Sequence, residues 1–272
     1  MKNIFSSLSI LLLFTSCYSS EGKTSITNVF PNEQQEDSSA INPDGKTIET
    51  RFKVPESFER VQLDSNSFGF YLRTLTLKTH DESVKLYNGS LKSNQDAHIA
   101  IIDQDIDPVD LQQCADAVMR LRGEYLFQQK RFKDIHFNFI SDGKPRYFLE
   151  YANGDLSYKK FRAYMKYIFS YANTASLKKE LTVVGIETIL PGDVFIQSGN
   201  PYGHAVTVVD VAEDAQGNRV FLLAQSYMPA QETHLLINPK NQQLSPWYEA
   251  KNGTILTPEW RFESTDLRRF KD

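Results

Sequence analysis

Past residue 190 the spacing of apolar residues changes period, and this constrains the fold more than any other feature of the chain. The segments "PGDVFIQ", "GHAVTVVDVA", "RVFLLAQSYM" and "ETHLLIN" are short, apolar and bounded by turn residues. Runs of that kind are strands, and "AEDAQGNR" between the second and third reads as a hairpin loop. Upstream the period is helical. In "DPVDLQQCADAVMRLRGEYLFQQKRF", Leu111, Cys114, Val118, Leu121 and Tyr125 recur on one helical face. Asp107 is placed to cap that helix and Pro108 fits its first turn. "SYKKFRAYMKYIFSYAN" predicts a second amphipathic helix, "TASLKKEL" a short one and "SNSFGFYLRTL" a Ser-capped one, while "DAHIAIID" and "DIHFNFI" alternate as strands. Helices followed by antiparallel strands, with no internal repeat, predict one α+β domain.

The first residues stand apart. "MKN" precedes the apolar core "IFSSLSILLLF", too short to span a bilayer as a stable helix, and "TSC" follows. That is the layout of a secretory signal. Small residues directly before Cys17 resemble the lipobox of bacterial lipoproteins, although Phe14 stands where that pattern favours leucine. The resemblance implies cleavage before Cys17, lipid on Cys17, and a protein exported and anchored in the bacterial cell envelope at the outer membrane. Residues 18–48 include "NEQQEDSSAINPDGK", too polar to order itself, and read as a flexible tether. The domain is then expected over 49–272. A net charge of −4 and the absence of any basic block argue against a nucleic-acid partner.

With Cys17 lipidated, Cys114 is the one remaining thiol. It is then either a small buried hydrophobe on its helical stripe or a nucleophile. A nucleophile needs a base, and the base a group that holds its ring. His204, straight after Gly203 at the start of a strand, is the candidate base. A hairpin turn centred near Ala215 and Gln216 puts His204 opposite Tyr227 or Met228. In the first register Gln225 shares the face of His204; in the second Ser226 does. Either side chain can fix the imidazole tautomer. His136 in "DIHFNF" is a rival base, and His80, His98 and His234 read as surface or packing residues. Asp210 shares the strand with His204 but reads as its solvent end.

A helix-borne cysteine, "PGDVFI" and then "GHAVTVVD" together resemble the papain-like superfamily, and within it the NlpC-type envelope peptidases and amidases. The resemblance spans roughly residues 108 to 228. It implies a papain-like fold with the helix packed on the sheet, Cys114 as nucleophile, His204 as base and Gln225 as orienting residue. Those enzymes hold the cysteine at the helix N-terminus, whereas a start at Pro108 puts Cys114 in the second turn. A break near Asp110 or Gln112 would restore the match. The strings "QQCADAVMRLRGEYL", "IHFNF", "PGDVFIQSGNPYGHAV", "FLLAQSYMPAQETHLL", "SPWY" and "LTPEW" are also similar to an uncharacterised family of envelope lipoproteins, domain of unknown function 4846. That likeness implies one exported domain and assigns no activity.

Asp103, Asp105 and Asp107 alternate like the start of an EF-hand, but the positions that need Gly and Glu hold Pro108 and Cys114. No zinc-ligand spacing occurs, so neither metal nor cofactor is expected. Trp247 and Tyr248 in "SPWYEA" are candidates to line a groove for a sugar or peptide. The expectation is a cell-envelope cysteine hydrolase of amidase or peptidase type, acting on a cell-wall peptide, a glycan-linked amide or a related amide. The other class is a non-catalytic ligand-binding envelope lipoprotein of the same fold.

Overall fold

The histidine strand, His204–Asp214, is the spine of the molecule. It pairs antiparallel with Val194–Gln197 on one side and Arg219–Gln225 on the other. From this centre the sheet runs, in order, His98–Ile101, His234–Leu236, Arg219–Gln225, His204–Asp214, Val194–Gln197, Leu267–Arg269 and Thr182–Val183. Phe58–Arg60 and Tyr248–Glu249 pair onto the two central strands. The computed structural model describes residues 40–199 and 202–271. Among them the architecture is mixed α/β: one large antiparallel sheet and a few helices.

Alternation along the central strands sends side chains into two cores. Ala205, Val209, Ile196 and Ala224 join Ala115, Val118, Met119, Phe161 and Ile168 in the core between sheet and helices. Val206, Val208, Phe195, Phe221, Leu223 and Phe262 fill the other. The pairing shifts by one residue between Val208 and Asp210. A bulge there corrects the register, because one extra residue slides everything toward the His204 end by one place.

The cysteine helix, Cys114–Gln128, is buried on nearly all its faces from Cys114 to Leu126. It does not start at Pro108. Val109, Leu111 and Gln113 each donate a backbone bond to the residue two before, a run of tight turns that holds residues 107–113 out of the helix. The helix is then capped by a reciprocal pair: the Gln113 side chain accepts from the Asp116 backbone, and Gln113 N–H donates to Asp116 Oδ2 at 3.0 Å. Cys114 is therefore the first helical residue. Asp107, the expected cap, ion-pairs with Arg162 at 3.2 Å.

The fully buried Arg120 guanidinium ties this helix to its surroundings, bonding Glu124 at 2.6 Å, Gln112 at 3.2 Å and Tyr158 at 3.2 Å. Tyr158–Tyr171, capped by Ser157, and Thr174–Glu180, capped by Asn173, follow the sequence reading. So does Phe68–Arg73, capped by Ser67.

One boundary and one burial differ from those expected. Part of residues 40–48, assigned to the tether, joins the domain: Ile41 bridges Phe52 and Ile48 is fully buried, while Asn42, Pro43, Asp44 and Lys46 are exposed. Backbone bonds from Asn42 N to Arg51 O and from Lys53 N to Ala40 O also tie this polar stretch to the domain. Asp210, expected at the solvent end of its strand, is fully buried between Arg60 and Arg73, each Nε 2.7 Å from a carboxylate oxygen. The leader, Cys17 and most of the tether lie outside the described residues.

Candidate functional site

The start of the cysteine helix abuts the start of the histidine strand. Cys114 Sγ lies 3.9 Å from the Gly203 carbonyl oxygen. Backbone N–H groups of Ala115, Ala205 and Cys114 itself also point at the sulfur. Gly203 and Ala205 flank His204, so the thiol sits against the backbone on both sides of the histidine. Burial, with the neighbouring Asp116 carboxylate adding to it, pushes the Cys114 thiol up to about 11; the three N–H groups pull the other way.

The His204 ring is 1% exposed. It packs against Tyr227, Trp260 and Phe262, with ring centroids 4.8, 5.1 and 5.8 Å away. Burial raises the phenol of Tyr227, and the charges of Glu259 and of Cys114 add to it. Burial pushes the imidazole down to about 4, opposed by its bond to Gln225.

His204 Nε2 is 2.9 Å from Gln225 Oε1. The amide's other end donates from Nε2 to Glu259 Oε2 at 2.7 Å. A carboxylate only accepts, so Gln225 must turn its NH2 to Glu259 and its carbonyl to His204. The carbonyl in turn requires the proton on His204 Nε2. Nδ1 is then the basic nitrogen of the neutral ring. Gln225 Nε2 also approaches His234 Nε2 at 3.4 Å, and His234 Nδ1 is 2.8 Å from the Glu232 carbonyl, which fixes His234 as a fully buried spectator. Lys92 Nζ completes the row, 2.5 Å from Glu259 Oε1 and 2.6 Å from the Asn94 carbonyl.

Of the two orienting candidates the structure joins His204 to Gln225. Ser226 Oγ bonds the carbonyls of Gln112 and Gln231 and pins the start of the cysteine helix to the chain after Gln225. Trp247 and Tyr248 are 1% and 4% exposed and pack into the core, and Tyr248 also lines a cavity of about 80 Å³ with Asn238 and Ile255. Their polar atoms are spent inside: Trp247 Nε1 donates to Lys53 O at 2.9 Å and Tyr248 Oη to Ile237 O. His136 lies elsewhere, paired in strand register with Tyr147 and bonded through Nδ1 to Asp134 O. Trp260 belongs to the aromatic cluster "TPEWRF", a candidate to stack on a sugar or peptide, whereas Glu259 and Lys92 were given no role by the sequence reading. Glu259 sits beside that tryptophan in "LTPEW", which carried a signal, whereas an isolated lysine carried none.

A cavity of about 330 Å³ opens beside the thiol, lined by Cys114, Asp110, Asp116, Phe169, Tyr202 and Met228 among others. Its volume is in the range of small-ligand pockets.

The chain belongs to the family described as Domain of unknown function (4846), whose model matches residues 48–269. No curated protein and no solved structure matches the chain.

Proposed function

We propose that this member of the family is a cysteine hydrolase of papain-like, NlpC-like type that cleaves an amide or ester through Cys114, His204 and Gln225. One observation carries the reading: the sulfur of the first helical residue lies 3.9 Å from Gly203 O, against the backbone of a histidine whose Nε2 is held by Gln225. His204 Nδ1 takes the thiol proton as sulfur attacks the carbonyl carbon. The carbonyl oxygen becomes an oxyanion close to the Cys114 and Ala115 N–H groups, which already point at the sulfur. Collapse breaks the carbon–nitrogen bond, and the imidazolium gives its proton to the departing amine. Water, deprotonated by His204, then releases the acid from the thioester. A raised thiol and a lowered imidazole mean that the resting pair is neutral, so the proton moves only as the new bond forms.

The leader-like residues 1–17 and the lipobox-like "TSC" support export and a lipid on Cys17. In that setting the substrate is a cell-wall peptide, a glycan-linked amide or a related amide at the outer membrane. The test is alkylation of the native protein by iodoacetamide near neutral pH, mapped by mass spectrometry. We expect label on Cys114 and a rate at least about tenfold lower in His204→Ala, the loss expected when a general base is removed. Label that appears only on unfolding overturns the reading. It would favour the non-catalytic ligand-binding alternative, which the 6% exposure of Cys114 supports.

A further inference from the structure

Tyr158 is 47% exposed, yet its hydroxyl is fixed from below. Oη donates to Glu124 Oε1 at 2.9 Å and accepts from Nη2 of the fully buried Arg120 at 3.2 Å. Tied to a buried ion pair, the ring displays one fixed face. Phe127 and Phe132 continue the apolar wall, with ring centroids 5.7 Å apart from Tyr158 to Phe127 and 5.2 Å from Phe127 to Phe132. With Leu156 these rings line a cavity of about 570 Å³. It lies at the far end of the helix pair Cys114–Gln128 and Tyr158–Tyr171, away from the thiol cavity beside Cys114 and Phe169.

Glu124 is in the same wall, with its side chain 6% exposed. Its Oε1 is taken by Arg120 and Tyr158. Its Oε2 accepts no bond among the described residues and is not sealed from solvent. An unpaired carboxylate oxygen on a largely buried side chain, at a cavity wall, is a place for a donor. The charges favour a neutral one. Arg120 already meets the Glu124 carboxylate at 2.6 Å, and Lys130 stands in the wall as well, so a second cation would be repelled.

We propose that this cavity binds a neutral saccharide. A sugar ring has an apolar C–H face and a rim of hydroxyls. The face stacks on Tyr158, one hydroxyl donates to Glu124 Oε2, and the exposed Gln128 and Lys130 are placed to meet the others. An apolar side chain in the same place would leave the carboxylate oxygen unpaired. A place for this sugar in the substrate of Cys114 rests on the hydrolase reading; its binding does not.

The full chain is titrated by calorimetry with chitotetraose, cellotetraose and maltotetraose. At least one should bind with a Kd of about 1 mM or tighter. Leu156 is 41% exposed, so Leu156→Arg should keep the fold while filling the cavity. It should weaken binding at least about tenfold, and Tyr158→Ala should do the same by removing the stacked face. The peptide N-acetyl alanyl-leucyl-phenylalanine amide tests the apolar occupant. No saccharide binding, binding that survives either folded variant, or tighter binding of the peptide than of every saccharide overturns the proposal. Should Tyr158→Ala fail to fold, Leu156→Arg still decides it. Iodoacetamide labelling of Cys114 is read at the other end of the helix, so the two readings fail separately.

Discussion

Gln225 donates to Glu259 at 2.7 Å, and that bond decides which end of the amide His204 meets. With Glu259 replaced by glutamine, the neighbour no longer accepts only, and Gln225 is free to present either end. The expected result for Glu259→Gln is a mixed His204 tautomer by nitrogen NMR and slower labelling of Cys114. It also strands Lys92, whose ammonium is buried against the carboxylate. Breaking such a pair from one side costs about 3–5 kcal/mol. Denaturant unfolding should show that loss, and Glu259→Gln with Lys92→Met should regain most of it. Equal stability of the single variant and the parent counts against the network.

The acid response follows from His204 and His234. Burial holds the folded imidazoles down to about 4 and about 3, while the unfolded ones protonate near 6.5. Between these values the unfolded chain binds protons that the folded chain refuses. Their contribution is complete above pH 6.5 and is lost as pH falls toward 4. Asp116 and Glu180, lifted by burial to about 8 and about 7, act with the opposite sign and lose theirs as pH rises toward those values. The test therefore compares His204→Gln with the parent at each pH. The parent should lose roughly 3 kcal/mol more than the variant between pH 7 and 4. Parallel curves would show that His204 is not held neutral.

Asp210 joins the histidine strand to two segments that precede it by 150 and 137 residues, through Arg60 and Arg73. Both guanidinium groups lean on one fully buried carboxylate. Asp210→Asn leaves two cations facing a neutral amide, so a loss of about 3–5 kcal/mol is expected. A urea midpoint shift equivalent to less than about 1 kcal/mol would mean that water already relieves the arginines.

Local pairing was legible where the chemistry is local. A turn near Ala215 and Gln216 set the hairpin, and one of its two registers places Gln225 on the His204 face, the register seen. The helix start was not legible, because Leu111 and Cys114 continue the apolar stripe across a break made by two-residue turns and the reciprocal cap of Gln113 and Asp116. Long-range partners were also beyond reach. Glu259 meets Gln225 from 34 residues away and Lys92 from 167. No period or spacing encodes such pairs. The burial of Trp247 and Tyr248 was not legible either, because their polar atoms find carbonyl partners far along the chain and inside the fold.

Gly203, the residue that made "GH" conspicuous, has a steric reason to be glycine. A Cβ there would lie 2.1 Å from the Gln197 carbonyl oxygen and 2.6 Å from Thr174 Oγ1. Two backbones and the first residue of the Thr174–Glu180 helix meet at this point, and Gly203 O is the carbonyl that faces the thiol. Gly203→Ala must push the histidine strand away from Val194–Gln197 at its first residue. We expect a loss of about 1–3 kcal/mol, the usual cost of overpacking. We also expect a changed labelling rate at Cys114, although the substitution removes no side-chain contact to it. Gly217→Ala is the control: its φ is +83° with open space around it, so it costs about 1 kcal/mol in backbone strain and leaves Cys114 labelling as in the parent. If the two variants label alike, the close approach at Gly203 does not set the position of the thiol.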